Sequence, residues 1–457
     1  MIRFNSIKGI RWGILYWLAI NLAYFWALQV HWAEDFPATF DILRFFAATA
    51  GILLLLILLP KENEITILYL YIILFLVIIP LTVTYVGGQS SGFYVFSVIG
   101  VYAGAEIIAC HVKLKEVQID NGRGKGLSYL LVAGAIIYVA VTVVLLFMKL
   151  GVPKTTALNL TKIYEIRETL PVSARLYNMF QMTAKAILPF LLAIALFKKN
   201  RREVILLLGV QFLLFLWLAN KTTLVSLGVF LFGYYFSKKE NTTALFCKAM
   251  TIGVLALTIL EGLNTGEQTG LAKTIASVFS IFIRRTVFVP AVLKGHFFEF
   301  FVSMNNELVG LFGTMVAPLL TRMGVYEPYA DLTYTKVIGN LYAGGANANT
   351  GMFGKELAHF GYLGILVAGV CLILFLLAVK VCESRNGKQF ACGISIYIIV
   401  SLQDAGSMEI ITFSPMLMVF IMLLIFNMKD YMEKRTREEP KSEIRVDRLR
   451  PDQSQPY

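Results

Sequence analysis

The chemistry-bearing side chains of this chain concentrate in its C-terminal half. Arg284 and Arg285 stand side by side in "LAKTIASVFSIFIRRTVFVPAVL", and a guanidinium fork matches phosphate oxygens well. Glu356 and His359 are three residues apart, so a carboxylate and an imidazole share one helix face. Just before them, "GGANANTG" supplies Asn347, Asn349 and Gly351. Asn349 or Thr350 is expected to cap the following helix. A helix start with free N–H groups is an anion site, and glycine lets a ligand come close to the backbone. Lys221, in "LANKTTLVSLG", is the only charge between Glu203 and Lys238. Each feature also has a plainer use: arginines snorkel, a boundary lysine is solvated, and a lone histidine is often structural. No P-loop or dinucleotide glycine motif stands in a suitable context, and the Cys and His spacings hold no metal pattern. We therefore expect neither cofactor nor metal.

The elements that must position these groups are membrane helices. The 457 residues are 57% hydrophobic and only 15% charged. Apolar runs of about 18 residues or more read as transmembrane helices, and about twelve such spans fall between residues 11 and 428. The fold expected is all-α and polytopic. The first run, "ILYWLAINLAYFWALQV", is long, aromatic and without a cleavage site, so it reads as a retained helix. Lys and Arg fill alternate connections, among them "FKKNRRE", "SKKEN" and "KVCESRNGK", whereas "HWAEDFPATFD", "YVGGQSSG" and "QDAGSME" have none. That bias places the basic connections and both termini in the cytoplasm. The formal net charge of +12 is thus mainly a topology signal, and nucleic-acid binding is not expected. Residues 429–457 read as a disordered, charged cytoplasmic tail following a membrane domain over 1–428. No internal repeat is evident.

On this topology two external connections are long, at 151–176 and 264–359, and long loops in compact proteins are commonly functional. The first carries Lys154, Lys162, Arg167 and Arg175 among Glu165 and Glu168, a cation content that suits an anionic ligand. In the second, Lys273, Ser277, Ser280 and Arg284 form one helical stripe, with Ile275, Val278, Phe279 and Phe282 on another. Each central arginine costs about 2.5–3.5 kcal/mol at mid-bilayer. This segment is therefore expected to lie as an amphipathic helix in the outer interface.

Taken together, the chain resembles the Wzy-type O-antigen and capsule repeat-unit polymerases. The resemblance rests on the span number, the two outer loops, and three segments: "ANKTTLVSLGVF", "FIRRTVFVPAVLKGHFFEFF" and "NTGMFGKELAHFGYLGIL". Arg284 and Gly295 also fit an R-x10-G spacing of some members, which Arg167 and Arg175 do not repeat. The resemblance implies a multispanning glycosyltransferase architecture in the bacterial plasma membrane. It implies transfer of a growing glycan from undecaprenyl pyrophosphate to a new lipid-linked repeat unit on the outer face. A flippase and a chain-length regulator would be partners, alongside the bilayer. Arg284, Arg285 and Lys221, with Arg322, would stabilise charge on the departing pyrophosphate. His359 and Glu356 would serve as base to the acceptor hydroxyl, with His296 and Glu299 as alternates. Asn347, Asn349 and Gly351 would position sugar or phosphate, and Tyr329, Tyr334 and Tyr342 would stack on sugar rings.

Three other readings stay open. An O-antigen ligase shares the design but delivers a finished chain to a lipid core. A flippase or transporter commonly shows repeated halves and midplane ionisable groups, whereas the two halves here are dissimilar. A scaffold without activity would not need so large an external loop.

Overall fold

The computed structural model describes residues 7–37, 39–60, 64–112, 125–153, 171–264, 270–309, 333–345, 347–410, 412 and 414–432. Among them every regular element is helical. We label the helices α1 (Ile10–His31), α2 (Ile42–Leu58), α3 (Ile65–Val86), α4 (Gly92–His111), α5 (Gly126–Leu150), α6 (Ala174–Phe197), α7 (Arg201–Leu218) and α8 (Lys221–Phe236). There follow α9 (Thr242–Gly262), α10 (Gly270–Ser303), α11 (Tyr334–Tyr342), α12 (Lys355–Asn386), α13 (Lys388–Ser401) and α14 (Pro415–Ile425). Eight of these (α1, α3, α4, α5, α6, α9, α10 and α12) are long and apolar enough to cross a membrane. The chain is a multi-pass membrane protein by that measure. Each apolar run read from the sequence coincides with a helix, although α2, α8, α13 and α14 are shorter and α7 opens on three charged residues.

Helix α10 is longer than the sequence reading expects. The segment foreseen as an interfacial amphipathic helix is one continuous helix of 34 residues, of membrane-spanning length and apolarity. The physical reason lies in its arginines. Arg284 is paired with Asp35 at 3.0 Å and sits 5.6 Å from the Trp32 ring centre, which lowers the cost of carrying it within an apolar helix. The stripe turned into the bundle is Ala276, Phe279, Ile283 and Val287, leaving Phe282 exposed.

Prolines shape three long helices. The π-helical stretches Leu74–Ile78, Thr183–Ile187 and Ser280–Phe288 are followed by Pro80, Pro189 and Pro290. Proline offers no N–H to the carbonyl four residues before it. Those carbonyls belong to Leu76, Lys185 and Thr286, all inside the π stretches. The helix therefore loosens where proline would have broken its ladder, and such π segments frequently mark functional positions.

Helix α3 forms the centre of the bundle and is wholly buried along its most apolar stretch. Around it pack α1 with α9, α8 with α13, and α12 with α4, α13 and α14. Contacts sort the connections into two ends. At the end rich in Lys and Arg, Lys380 pairs with Glu64 at 3.1 Å, Lys198 donates to the Tyr431 hydroxyl at 3.0 Å, and Asn386 donates to the Phe426 carbonyl at 3.0 Å. At the other, Tyr24 donates to Gln89, Trp217 to the Gly151 carbonyl, and the Met352 N–H to the Leu402 carbonyl. The charged tail differs from expectation at its start: Tyr431 is buried against Lys198. Residues 433–457 lie outside the described residues.

Candidate functional site

The site is built at the end of the bundle away from the basic connections. A cavity of about 550 Å³ is lined by Tyr177, Lys185, Asn220, Asn349, Lys355 and Asp404, together with Tyr397 and Glu409. A second, of about 180 Å³, is lined by Tyr334, Lys355, Glu356, His359 and Glu409. Lys355 and Glu409 belong to both, with Lys355 Nζ 3.4 Å from Glu409 Oε1, so this ion pair forms a shared wall.

Each element brings its residue in for a local reason. Lys185 lies eleven positions after the start of α6, about 16 Å along the axis, within the stretch that Pro189 loosens. Its ammonium sits 5.6 Å from the Tyr397 ring centre, a cation–π contact. Asn220 caps α8 by accepting from the Thr222 N–H at 3.1 Å and donates to the Tyr177 hydroxyl at 3.2 Å. Asp404 follows the end of α13, its N–H donating to the Ser401 carbonyl. Asp404 opens onto the cavity, while surrounding protein desolvates it and pushes its carboxyl above the usual range, against the pull of Lys355 and Lys185.

The glycine-rich stretch before α12 positions the floor between the cavities. Gly351 has φ +73°, and a Cβ there would collide with the backbone of Leu402 and Gln403. The next residue, Met352, donates its N–H to the Leu402 carbonyl at 2.8 Å. Phe353 also has positive φ, 67°, which is strained for a bulky residue. Its carbonyl accepts from the Tyr94 hydroxyl at 2.8 Å, deep in the core. The expected cap is absent: Gly354 is the N-cap of the first turns of α12, with no side-chain hydrogen bond. These backbone contacts hold Lys355, Glu356 and His359 against the connection 402–409. Glu356 is fully buried, and its Oε1 accepts from the Ser407 N–H, the Ser407 hydroxyl at 2.7 Å and the Met408 N–H. Its Oε2 has no hydrogen-bond partner among the described residues. His359 meets the Tyr334 ring edge-on at 5.4 Å. Lys294, fully buried in α10, donates to the Pro290 carbonyl at 3.4 Å, and Glu356 and Asp404 are the acidic groups acting on it.

The structure thus brings together Glu356, His359, Asn349 and Gly351 from the residues singled out in the sequence. It sets others apart. Arg284 is held by Asp35 and Trp32, while Arg285 is exposed on another side of α10, so the two do not form a fork on one partner. Tyr342 stacks on His296 at 4.2 Å, and His296 lies 3.8 Å from Glu299, a cluster outside the lining of both cavities. Lys221 and Arg175 are exposed beside cavity residues but do not line them, and Asn347 is exposed. Arg322, Tyr329, Lys154, Lys162, Glu165, Arg167 and Glu168 lie outside the described residues. Lys185, Lys355, Asp404 and Glu409 were missed. A lysine inside an apolar span was a signal for Lys185. The two carboxylates of "QDAGSME" were read only as an absence of basic residues.

No protein-family model, curated protein or solved structure matches this chain.

Proposed function

We propose that this protein is a bacterial plasma-membrane glycosyltransferase that polymerises oligosaccharide repeat units carried on undecaprenyl pyrophosphate. In this reading about twelve helices span the membrane, both termini are cytoplasmic, and the paired cavities open toward the outer face. The observation that carries it is the cavity of about 550 Å³ in which Lys185 and Lys355 oppose Asp404 and Glu409 beneath Tyr177 and Tyr397. Two fixed ammonium groups suit a pyrophosphate, carboxylates accept sugar hydroxyls, and tyrosine rings offer faces for sugars. Such a donor carries its own leaving group, so no nucleotide is required.

In the step we assign, the acceptor hydroxyl oxygen attacks the anomeric carbon of the donor sugar. The bond from that carbon to the pyrophosphate oxygen breaks, and the electron pair leaves with undecaprenyl pyrophosphate beside Lys185 and Lys355. In this scheme the acceptor hydroxyl enters where the Lys355–Glu409 pair divides the two cavities, and its proton passes to Glu356 or His359 of the smaller one. Arg284, engaged by Asp35, takes a positioning role in this scheme.

A transporter of the same lipid-linked glycan is the second reading, since Lys185 lies within a helix of membrane-spanning length and such groups mark transport paths. Deleting the chain in its native host separates the readings through the size and place of the surface glycan. Polymerase loss leaves single repeat units at the surface. Long glycan retained on its lipid indicates a ligase, and repeat units trapped inside indicate a transporter; either result rejects the polymerase.

A further inference from the structure

We infer that a lateral groove between α5, α6 and α7 binds one anionic phospholipid, its phosphate at the basic end and an acyl chain along the apolar wall. The groove has a volume of about 530 Å³ and shares no lining residue with the paired cavities. Val132, Val139, Ile194, Leu207 and Val210 give it an apolar wall. Ile136 and Leu206 are 55% and 66% exposed, so the groove opens sideways, toward lipid.

The length of the groove suits an acyl chain. Along α5 the lining runs from Val132 to Val143, about 16 Å at the helical rise. One leaflet of hydrocarbon is about 15 Å deep, so the groove matches an acyl chain entering from one face.

Charge selects the headgroup. The polar lining is confined to Lys198, Glu203 and Tyr431. Lys198 donates to the Tyr431 hydroxyl at 3.0 Å and stands 3.7 Å from Glu203, beyond hydrogen-bond range. An ammonium has three N–H donors, so it retains capacity for a phosphate oxygen. Lys199, Arg201 and Arg202 flank it and are exposed, so the stretch 198–203 carries four cations against the single Glu203 carboxylate. A cluster of this kind beside a membrane attracts anionic lipid. This end of the bundle is the basic one, opposite the cavities, so the lipid is not the glycan carrier of the proposed reaction. The inference rests on the membrane architecture alone and survives if that reaction is wrong.

The test is native mass spectrometry of the full chain in detergent, titrated with phosphatidylglycerol or phosphatidylcholine of matched acyl chains. One phosphatidylglycerol is expected to bind about tenfold more tightly than phosphatidylcholine. Arg201→Gln with Arg202→Gln removes exposed charge and should bring the two lipids to similar affinity. Ala140→Phe fills the groove at an exposed position while keeping every charge, and should weaken both lipids. Equal binding of the two lipids by the wild-type chain overturns the inference. So does undiminished phosphatidylglycerol binding by Ala140→Phe, or retention of a polyprenyl phosphate in place of phosphatidylglycerol.

Discussion

Ser407 gives both its backbone N–H and its hydroxyl to a single oxygen of Glu356, across fifty-one residues of chain. One carboxylate oxygen is thereby fixed while the other, at the wall of the smaller cavity, has no hydrogen-bond partner among the described residues. Hydrogen bonds to an ionised group contribute about 1.5–3 kcal/mol each. Ser407→Ala keeps the backbone bond and loses the hydroxyl one. It should lower stability by about 2 kcal/mol, read as a lower unfolding temperature in detergent, with reduced polymer. Unchanged stability and polymer would show that Glu356 does not need this anchor.

Gly351 makes a second prediction through its backbone. Its φ of +73° and the proximity of the 402–403 backbone leave no room for a side chain. Gly351→Ala should cost more than the about 1–3 kcal/mol of positive-φ strain alone, because of the clash with the 402–403 backbone, and displace Lys355 from Glu409. Gly344→Ala serves as a control, because φ there is also positive, +57°, but a Cβ meets nothing. Equal losses in the two variants would reduce the effect at Gly351 to backbone strain.

The raised carboxyl of Asp404 has a pH signature. Because desolvation by the cavity walls favours its neutral form in the folded chain, its contribution to stability is fully present below the ordinary carboxyl value of about 3.9. That contribution is lost as pH rises through the raised folded value. Asp404→Asn should remove this slope, so the variant gains stability relative to the wild type as pH rises. Thermal unfolding of both from pH 4 to 8 reads the difference. Parallel curves would contradict the desolvation of this carboxyl.

Arg284 and Asp35 join the connection between α1 and α2 to α10 through a half-exposed pair, worth about 1 kcal/mol or less. If the arginine only ties these segments, Arg284→Ala and Asp35→Ala should leave polymer length nearly normal and lower stability equally. Loss of polymer in Arg284→Ala alone would return the arginine to the chemistry.

The helices were legible in the sequence because apolar runs of membrane length are unambiguous, and each of them is a helix here. The partners of those helices were not. Hydropathy gives the same value to an apolar residue facing lipid and one facing protein, so it hid the burial of α3 and the inward stripe of α10. It also cannot show a salt bridge between positions 35 and 284, which made α10 look too costly to enter an apolar setting. For the site, the pairing of Glu356 with His359 followed from helical spacing. Asp404 and Glu409 did not, because they face Lys355 only after the chain has returned through α12 and α13.

The central claim is that Lys185 and Lys355 stabilise a departing lipid pyrophosphate. The most direct measurement supplies purified protein in vesicles with lipid-pyrophosphate-linked repeat units and follows glycan length and free lipid pyrophosphate together. The wild-type chain should build a ladder while releasing one lipid pyrophosphate per added unit. Lys185→Met and Lys355→Met should each slow both by at least about a hundredfold, in the range found for removing one preorganised charge-stabilising donor; Lys355→Met, which leaves Glu409 without its ion-pair partner, should also lower the unfolding temperature. Full ladders from folded Lys185→Met and Lys355→Met proteins would contradict the account.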